Sequence, residues 1–241
     1  MKKIVFVSIA FLSVTAVFAQ DTKKPPVKTN LLNRAADHFM IQLATDHWNG
    51  MPDSISNHTK GLSRGLNVYA MINKPFKKSP QFSAAYGIGF GTANMYFKTL
   101  NVDIKSTNTK LPFSSLDSTD HFKKYKLTTA FLEVPVELRF VKNPERENKS
   151  LKAAIGLKLG TLVNVHTKGK TLQNKSGGTI NTYTQKETNK RFFNSTRVAA
   201  TARVGFGNYS LYGSYQVTAL LKDGVGPVIH PFEIGFCISG L

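Results

Sequence analysis

Cysteine is almost missing from this chain, because Cys237 is the single one among 241 residues. One cysteine cannot form an internal disulfide, so a small secreted domain held together by disulfide bonds is excluded. Acidic residues are scarce as well: 14 Asp and Glu stand against 32 Lys and Arg, which leaves a formal net charge of +18. A charge of this size predicts anionic partners.

Long hydrophobic runs are also absent, apart from a short one near the start. Lys2 and Lys3 precede the apolar run 4–18, and Ala19 ends a Val-Phe-Ala cleavage pattern. The run is shorter than the ~20 residues of a membrane-spanning helix, and it has the basic start of a signal peptide. We predict a signal peptide over 1–19, a flexible linker over 20–36 and one domain over 37–241. An exported chain rarely meets nucleic acid, so the predicted anionic partners are outer-membrane lipid and lipopolysaccharide.

What the sequence does contain is alternation with a period of two, which is clearest in Leu132–Phe140. Leu132, Val134, Val136, Leu138 and Phe140 share one face of a strand, and the charged residues of the segment share the other. Similar segments recur to the end of the chain, at 38–46, 65–73, 82–97, 132–140, 151–163, 196–206, 209–220 and 231–240. With a signal peptide and no helix to cover the apolar faces, those faces are predicted to contact lipid.

The connections between these segments alternate in length. Short ones cover 74–81, 141–150 and 207–208, and longer ones cover 48–64, 99–124, 166–191 and 221–230. Short turns on the periplasmic rim and long loops on the extracellular rim are typical of outer-membrane barrels. The predicted fold is therefore all-β, an eight-stranded antiparallel transmembrane β-barrel with short periplasmic turns and long extracellular loops.

Aromatic residues are concentrated near both predicted rims. Those beside the short turns are Phe76, Phe82, Phe140, Phe206 and Tyr209, and those beside the long loops are Trp48, Tyr96, Phe97, Phe122 and Tyr125. Aromatic rings favour the level of the lipid headgroups. Two aromatic belts, one at each membrane surface, are therefore predicted.

Three parts of the mature chain also carry a family pattern. They are Asp37-His38-Phe39 with Asp46-His47-Trp48 and Met51-Pro52-Asp53-Ser54-Ile55; Leu132 to Phe140; and Tyr215, Leu220-Leu221-Lys222-Asp223-Gly224, Gly226-Pro227 and Pro231-Phe232-Glu233-Ile234-Gly235. In these segments the chain resembles the PorT-like outer-membrane β-barrel proteins of the Bacteroidetes. The resemblance implies an eight-stranded outer-membrane barrel. It also implies an accessory role in type IX protein secretion, and it supplies no catalytic residues.

Charged residues on the inward faces are the first candidate site. An eight-stranded barrel is filled by its own side chains, and buried charges are tolerated when they are paired. A salt-bridged plug of low conductance is predicted, supplemented by Gln42, Tyr69 and Tyr212. The predicted lumen charge network consists of Glu133, Glu137, Arg139, Lys158, Arg197 and Arg203.

A basic loop on the predicted outer rim is the second candidate site. Between residues 166 and 191 it holds one acid, Glu187, and a predicted surface set of Lys168, Lys170, Lys175, Lys186, Lys190 and Arg191. This set is either a solvated loop or a surface that attracts lipopolysaccharide or an acidic partner. The sequence leaves both open.

Enzymatic chemistry has little support in the sequence. Nucleophilic catalysis needs a nucleophile, a base and an orienting group within reach, and only His166 with a loop Ser or Asp is a candidate. The histidines are scattered and show no metal-ligand spacing, so neither a metal nor a cofactor is predicted.

We predict a non-enzymatic barrel that docks other outer-membrane or secretion-system proteins. The alternatives are a lipid-modifying enzyme, a surface adhesion or ligand-binding barrel, and a soluble lipocalin-like barrel, which the inward charges disfavour.

Overall fold

Eight antiparallel strands close into a ring in the computed structural model, which describes residues 39–240. The predicted signal peptide and linker lie outside the described residues. In ring order the strands are β1 (Phe39–Asn49), β2 (Arg64–Phe76), β3 (Ser79–Phe97), β6 (His121–Val141), β7 (Leu151–Gln173), β9 (Thr196–Phe206), β10 (Tyr209–Gln216) and β11 (His230–Ser239). The ring closes where Met40 of β1 pairs with Ser239 of β11. The predicted eight-stranded barrel is confirmed.

Smaller elements lie outside this ring. Strands β4 (Leu100–Val102) and β5 (Phe113–Ser115) pair with each other, and β8 (Thr179–Thr188) pairs with the far end of β7. A one-turn helix, α1, covers Asp53–Ser56, and a 3-10 turn covers Glu147–Lys149. None of the helices in residues 39–240 has the length and apolar character needed to cross a membrane.

The two faces of the ring strands differ as the alternation predicts. On β7, Ile155, Leu157 and Leu159 are exposed, whereas Lys158 between them is buried. On β6, Val134 and Val136 are exposed and Glu133 is buried. Successive residues of a strand point to opposite faces, so the barrel has an apolar outer band and a polar interior. This is the arrangement of a barrel in lipid and the reverse of a lipocalin-like barrel.

Two strands are much longer than the sequence predicts. β6 begins at His121, eleven residues before the predicted start, and β7 continues to Gln173 beyond the predicted end at residue 163. Their pairing shifts register between Ala130 and Phe131, where the partner on β7 changes from Asn164 to Leu162. Beyond this bulge the ends of β3, β6 and β7 form, together with β8, a four-stranded sheet that projects past the apolar band. We call it the outer sheet.

The predicted long loops 99–124 and 166–191 are therefore wrong in part. The first contains β4, β5 and the start of β6, and the second contains the end of β7 and all of β8. The short connections are confirmed at residues 77–78, 142–150 and 207–208. β10 ends at Gln216, earlier than predicted, because the chain then turns inward over the mouth of the barrel, where Leu220 and Leu221 are buried.

The long-loop end of the barrel is filled by an apolar cluster, which we call the outer core. Its buried members include Trp48, Ile55, Met95, Phe97, Leu100, Val102, Ile104, Leu111, Tyr125, Leu127, Phe131, Leu162, Val165, Phe192, Phe193, Leu220, Leu221 and Ile229. The predicted aromatic belt on this rim is consequently wrong for Trp48, Phe97 and Tyr125, which pack inside instead of facing headgroups. At the other rim Phe76, Phe82, Phe206 and Tyr209 are exposed, as a belt requires.

Candidate functional site

The barrel interior holds an ionic network centred on Arg197. Its guanidinium donates to Glu133 Oε1 at 2.8 Å through Nη1 and to Glu233 Oε1 at 2.6 Å through Nη2. The Lys158 ammonium lies 3.4 Å from Glu233 Oε2 and 3.9 Å from Glu133 Oε2. Two cations therefore face two carboxylates, and all four side chains are buried. A balanced set of this kind avoids the large penalty of an isolated buried charge.

Uncharged side chains satisfy the remaining oxygens of this network. The Tyr69 hydroxyl donates to Glu133, and the Tyr212 hydroxyl donates to Glu233 Oε2 at 2.9 Å. Asn67 Nδ2 donates to the same Glu233 oxygen at 3.0 Å. Each carboxylate thus accepts from several donors on different strands. The network links β2, β6, β7, β9, β10 and β11 across the lumen.

A second cluster lies nearer the short-turn rim. Glu137 accepts from Arg139 Nε at 2.8 Å and from Arg203 Nη2 at 3.0 Å through its Oε2. Arg203 Nη1 also donates to Ser239 Oγ at 3.3 Å. This cluster joins β6 and β9 to β11, so it adds further cross-lumen contacts below the first network.

The six lumen residues named from the sequence all lie in the barrel interior, divided between these two clusters. Sequence reasoning missed Glu233, which carries half of the negative charge of the central network. The signal is present in the alternating segment 231–240, because Phe232 and Ile234 are apolar and the residue between them must point to the opposite face. Asp46, which is buried beside the network and accepts from the backbone N–H of Asn94 at 2.7 Å through its Oδ2, was also missed.

Little open space remains along the barrel axis at this level. A cavity of about 10 Å³ lies between the outer core and the network, and its walls include Met95, Leu127, Asp46 and Glu233. That volume has room for about one water molecule. Arg197 also stacks its guanidinium 5.1 Å from the centre of the Phe131 ring, which ties the network to the outer core. At this level the described side chains fill the interior, which supports a barrel without a wide aqueous path.

The basic residues predicted as a loop are distributed over three places. Lys168 and Lys170 lie on β7 and Lys186 on β8, whereas Lys175 lies in the connecting turn, and Lys190 and Arg191 follow β8. The predicted loop is therefore wrong for Lys168, Lys170 and Lys186, whereas Lys175, Lys190 and Arg191 lie outside the strands as predicted. The prediction also missed Lys124 and Lys126 of β6, which pair directly with Lys170 and Lys168. Only the strand register brings these lysines together.

One group of side chains on the long-loop rim has the composition of a catalytic triad. His58 Nε2 lies 3.0 Å from Asp117 Oδ2 and 3.4 Å from Ser115 Oγ, and Ser115 Oγ donates to Asp117 Oδ2 at 2.7 Å. In a working triad the histidine bridges serine and acid through its two different ring nitrogens. Here one nitrogen faces both groups, and Nδ1 contacts the Ser54 carbonyl oxygen at 3.0 Å. These contacts hold together the loops that carry His58, Ser115 and Asp117, and we call the group the Asp117 clamp.

The Asp117 carboxylate is the centre of this clamp. Hydrogen bonds from Thr99, His58 and Ser115 hold the pKa of this carboxyl well below its usual range. His58 lies in the connection between β1 and β2, whereas Thr99 and Ser115 lie in the connection between β3 and β6. The charged carboxylate therefore joins these two connections.

The candidate base His166 does not enter such a group. Its Nδ1 contacts Asn164 Oδ1 at 2.8 Å on the same strand. Burial, with Lys186, Lys126 and Lys168 nearby, lowers the pKa of His166. Across residues 39–240, no three His, Cys, Asp or Glu side chains are grouped so that they could hold a metal ion.

Comparison with known proteins agrees with the ring of strands and the apolar outer face. No curated protein matches the sequence significantly. A family model described as an outer membrane protein beta-barrel domain matches residues 18–219, which is most of the chain. The chain belongs to this family of outer-membrane β-barrels.

Proposed function

We propose that this protein is a non-enzymatic docking barrel, which uses its transmembrane part as an anchor and its outer sheet as a platform for another envelope protein. The observation that carries the proposal is the combination of a filled lumen with a sheet that projects beyond the apolar band. A filled lumen leaves no route for a solute, so the function is assigned to the projecting surface.

The platform offers an open strand edge. Within the described residues β8 pairs with β7 alone, so its other edge has no strand beside it. Almost every residue of β8 is exposed. An open edge can accept an added strand from a partner through main-chain hydrogen bonds, which is a common mode of peptide recognition. Basic residues such as Lys186 would favour an acidic partner.

The resemblance to PorT-like proteins indicates in which assembly this docking role would operate. We propose an accessory role in type IX secretion or in another assembly of the cell envelope. The support is the family pattern in the sequence, together with a filled barrel whose loops and outer sheet lie beyond the apolar band. A surface adhesion barrel would use the same platform for a ligand outside the cell.

Crosslinking in native cells tests this proposal. A photo-crosslinking amino acid at Tyr183 in β8 should give a discrete adduct with one outer-membrane or secretion-system protein. The same group at Lys77, in a short turn on the opposite rim, serves as the control and should not give that adduct. Equal adducts at both positions, or none at Tyr183, would reject the docking role. Turnover of a labelled membrane lipid by the pure protein would favour the enzyme instead.

A further inference from the structure

Four lysines and a tyrosine line a cleft on the outward face of the outer sheet. The cleft has a volume of about 270 Å³ and is bounded by Tyr96, Lys124, Lys126, Lys168 and Lys170. The register places these residues in adjacent rows, because Tyr96 pairs with Lys126, Lys126 with Lys168, and Lys124 with Lys170. Directly paired residues of antiparallel strands project to the same side. The row continues onto β8, where Lys186 pairs with Lys168.

This arrangement places like charges opposite one another. Lysines in direct cross-strand pairs repel, and such pairs destabilise a sheet. Two successive pairs of this kind, with a third onto β8, therefore form a locally unfavourable surface. Burial, followed by the charges of Lys168 and Lys170, lowers the pKa of Lys126. Burial first, and the neighbouring ammonium groups after it, disfavour the charged form of Lys126.

No acid of the outer sheet offsets these charges. Glu187, the acid of β8, pairs with Thr167, so it projects to the opposite face from Lys168 and Lys186. Lys126 donates to Asn94 Oδ1 at 2.6 Å and lies 5.6 Å from the centre of the Tyr96 ring. Within residues 39–240, none of the four cleft lysines forms an ion pair with a carboxylate. The cleft consequently has room and unbalanced positive charge for an anion.

The cleft lies just beyond the lipid-facing band on the same outward surface. Val163 is the last exposed apolar residue of β7, and Lys168 follows five residues later. Five strand residues extend ~16 Å, which is ~12 Å in height for a strand tilted by ~40°. The headgroup layer extends ~5–8 Å beyond the hydrocarbon on each side, so the Lys168 backbone lies just above that layer. Flexible lysine stems can reach further down towards that layer.

We propose that this lysine cleft binds a phosphate group on the headgroup of an outer-leaflet glycolipid, that is, of lipopolysaccharide. The phosphate would lie between the Lys126 and Lys168 ammonium groups, with Lys124 and Lys170 completing the set. Charge-assisted hydrogen bonds to phosphate are among the strong ones available to lysine. Tyr96 on the same face offers its ring to the sugar. This site is independent of the docking role proposed above.

Lipid binding by the folded, full-length mature protein in uncharged detergent micelles tests this assignment. The probes are bisphosphorylated lipid A, the same lipid with its phosphates removed, and inorganic phosphate. Native mass spectrometry measures bound lipid, and thermal unfolding measures stabilisation. The test protein is a double variant that carries both Lys126→Gln and Lys168→Gln. The control is Lys175→Gln with Lys190→Gln, which removes the same charge from exposed lysines of the same rim.

The affinity of the test variant for bisphosphorylated lipid A should fall ~10-fold or more, because a lysine near an anionic surface contributes on the order of fivefold. The control should lose less than about twofold, and dephosphorylated lipid should bind weakly to every protein. Without lipid the test variant should be at least as stable as the native protein, since a repulsive pair is gone. Equal losses in test and control would overturn the site. So would equal binding of dephosphorylated lipid, or equal stabilisation by inorganic phosphate, which would mark a soluble-anion site.

Discussion

Arg197 and Glu233 form the shortest ion pair described in the barrel, with Nη2 of the arginine 2.6 Å from Oε1 of the carboxylate. The other end of the same guanidinium reaches Glu133 at 2.8 Å. One cation thus bridges carboxylates from β6 and β11, which lie on different sides of the ring. The bridge holds the barrel wall together through its interior, and this makes Arg197 the residue whose loss should matter most.

The first prediction concerns that bridge. Arg197→Met should lower the free energy of unfolding by about 3–5 kcal/mol, because it leaves two buried carboxylates with Lys158 as their remaining cation. The measurement is urea titration after folding into lipid vesicles. Arg64→Met removes an exposed arginine and should change the free energy by less than about 0.5 kcal/mol. Equal effects of the two changes would show that the bridge does not stabilise the barrel.

The second prediction concerns the lipid-facing band. Leu157 and Leu151 both lie on β7 and expose similar fractions of their side chains, 51% and 46%. Leu157→Arg places a charge near the middle of the band and should destabilise the barrel by about 2–4 kcal/mol, whereas Leu151→Arg at the short-turn end should have an effect of about 0–1 kcal/mol. Urea titration in vesicles compares them. The same effect at both depths would argue against a membrane-spanning β7.

The third prediction concerns a glycine that faces the lumen. A Cβ at Gly89 would collide with the carbonyl oxygen of Val68 and lie 2.6 Å from Tyr69 Cδ1, whereas a Cβ at Gly213 would meet nothing closer than 3.9 Å. Gly89→Ala should therefore destabilise the barrel by about 1–3 kcal/mol. Gly213→Ala should leave the free energy of unfolding unchanged or raise it slightly. Denaturant titration of both variants provides the comparison, and a neutral Gly89→Ala would refute the close approach of β2 and β3.

The fourth prediction concerns conductance. The native protein should show no large, stable single-channel currents in planar bilayers, since the ionic network and the outer core both fill the lumen. Arg197→Ala alone should not open a channel, because the apolar outer core still closes the long-loop end. Steady currents from the native protein would overturn the filled-lumen assignment and, with it, the main support for a docking role.

The sequence predicted the barrel wall well for a physical reason. Each strand segment in lipid must alternate apolar and polar residues, and this local pattern needs no knowledge of the partner strands. It placed Lys158 and Arg203 in the interior and would also have placed Glu233 there. The pairing of Arg197 with Glu233 could not be predicted, because it depends on the register and stagger of strands that are far apart in sequence.

The structure of the long-loop end could not be predicted from the sequence, for a different reason. Phe192, Phe193, Leu220 and Leu221 are buried although they lie in connections without regular alternation. They collapse onto a shared centre, so neither a period of two nor a helical period identifies them. The lysine cleft could not be predicted from the sequence either, because Lys126 and Lys168 become neighbours only through the register of β6 and β7.

The last prediction concerns the Asp117 clamp and pH. Its carboxyl pKa is lowered in the folded protein, so the charged form stabilises the clamp. For a depressed carboxyl pKa, this contribution is fully present above the unfolded pKa of about 3.9, and it declines as the pH falls from that value towards the lower folded pKa. We expect faster amide hydrogen exchange, relative to intrinsic rates, in residues 53–60 and 99–117 at pH 3 than at pH 6. Asp117→Asn should remove this difference. Asp120→Asn, at an exposed acid outside the clamp, should keep it, and a difference that persists in Asp117→Asn would show that another group controls these loops.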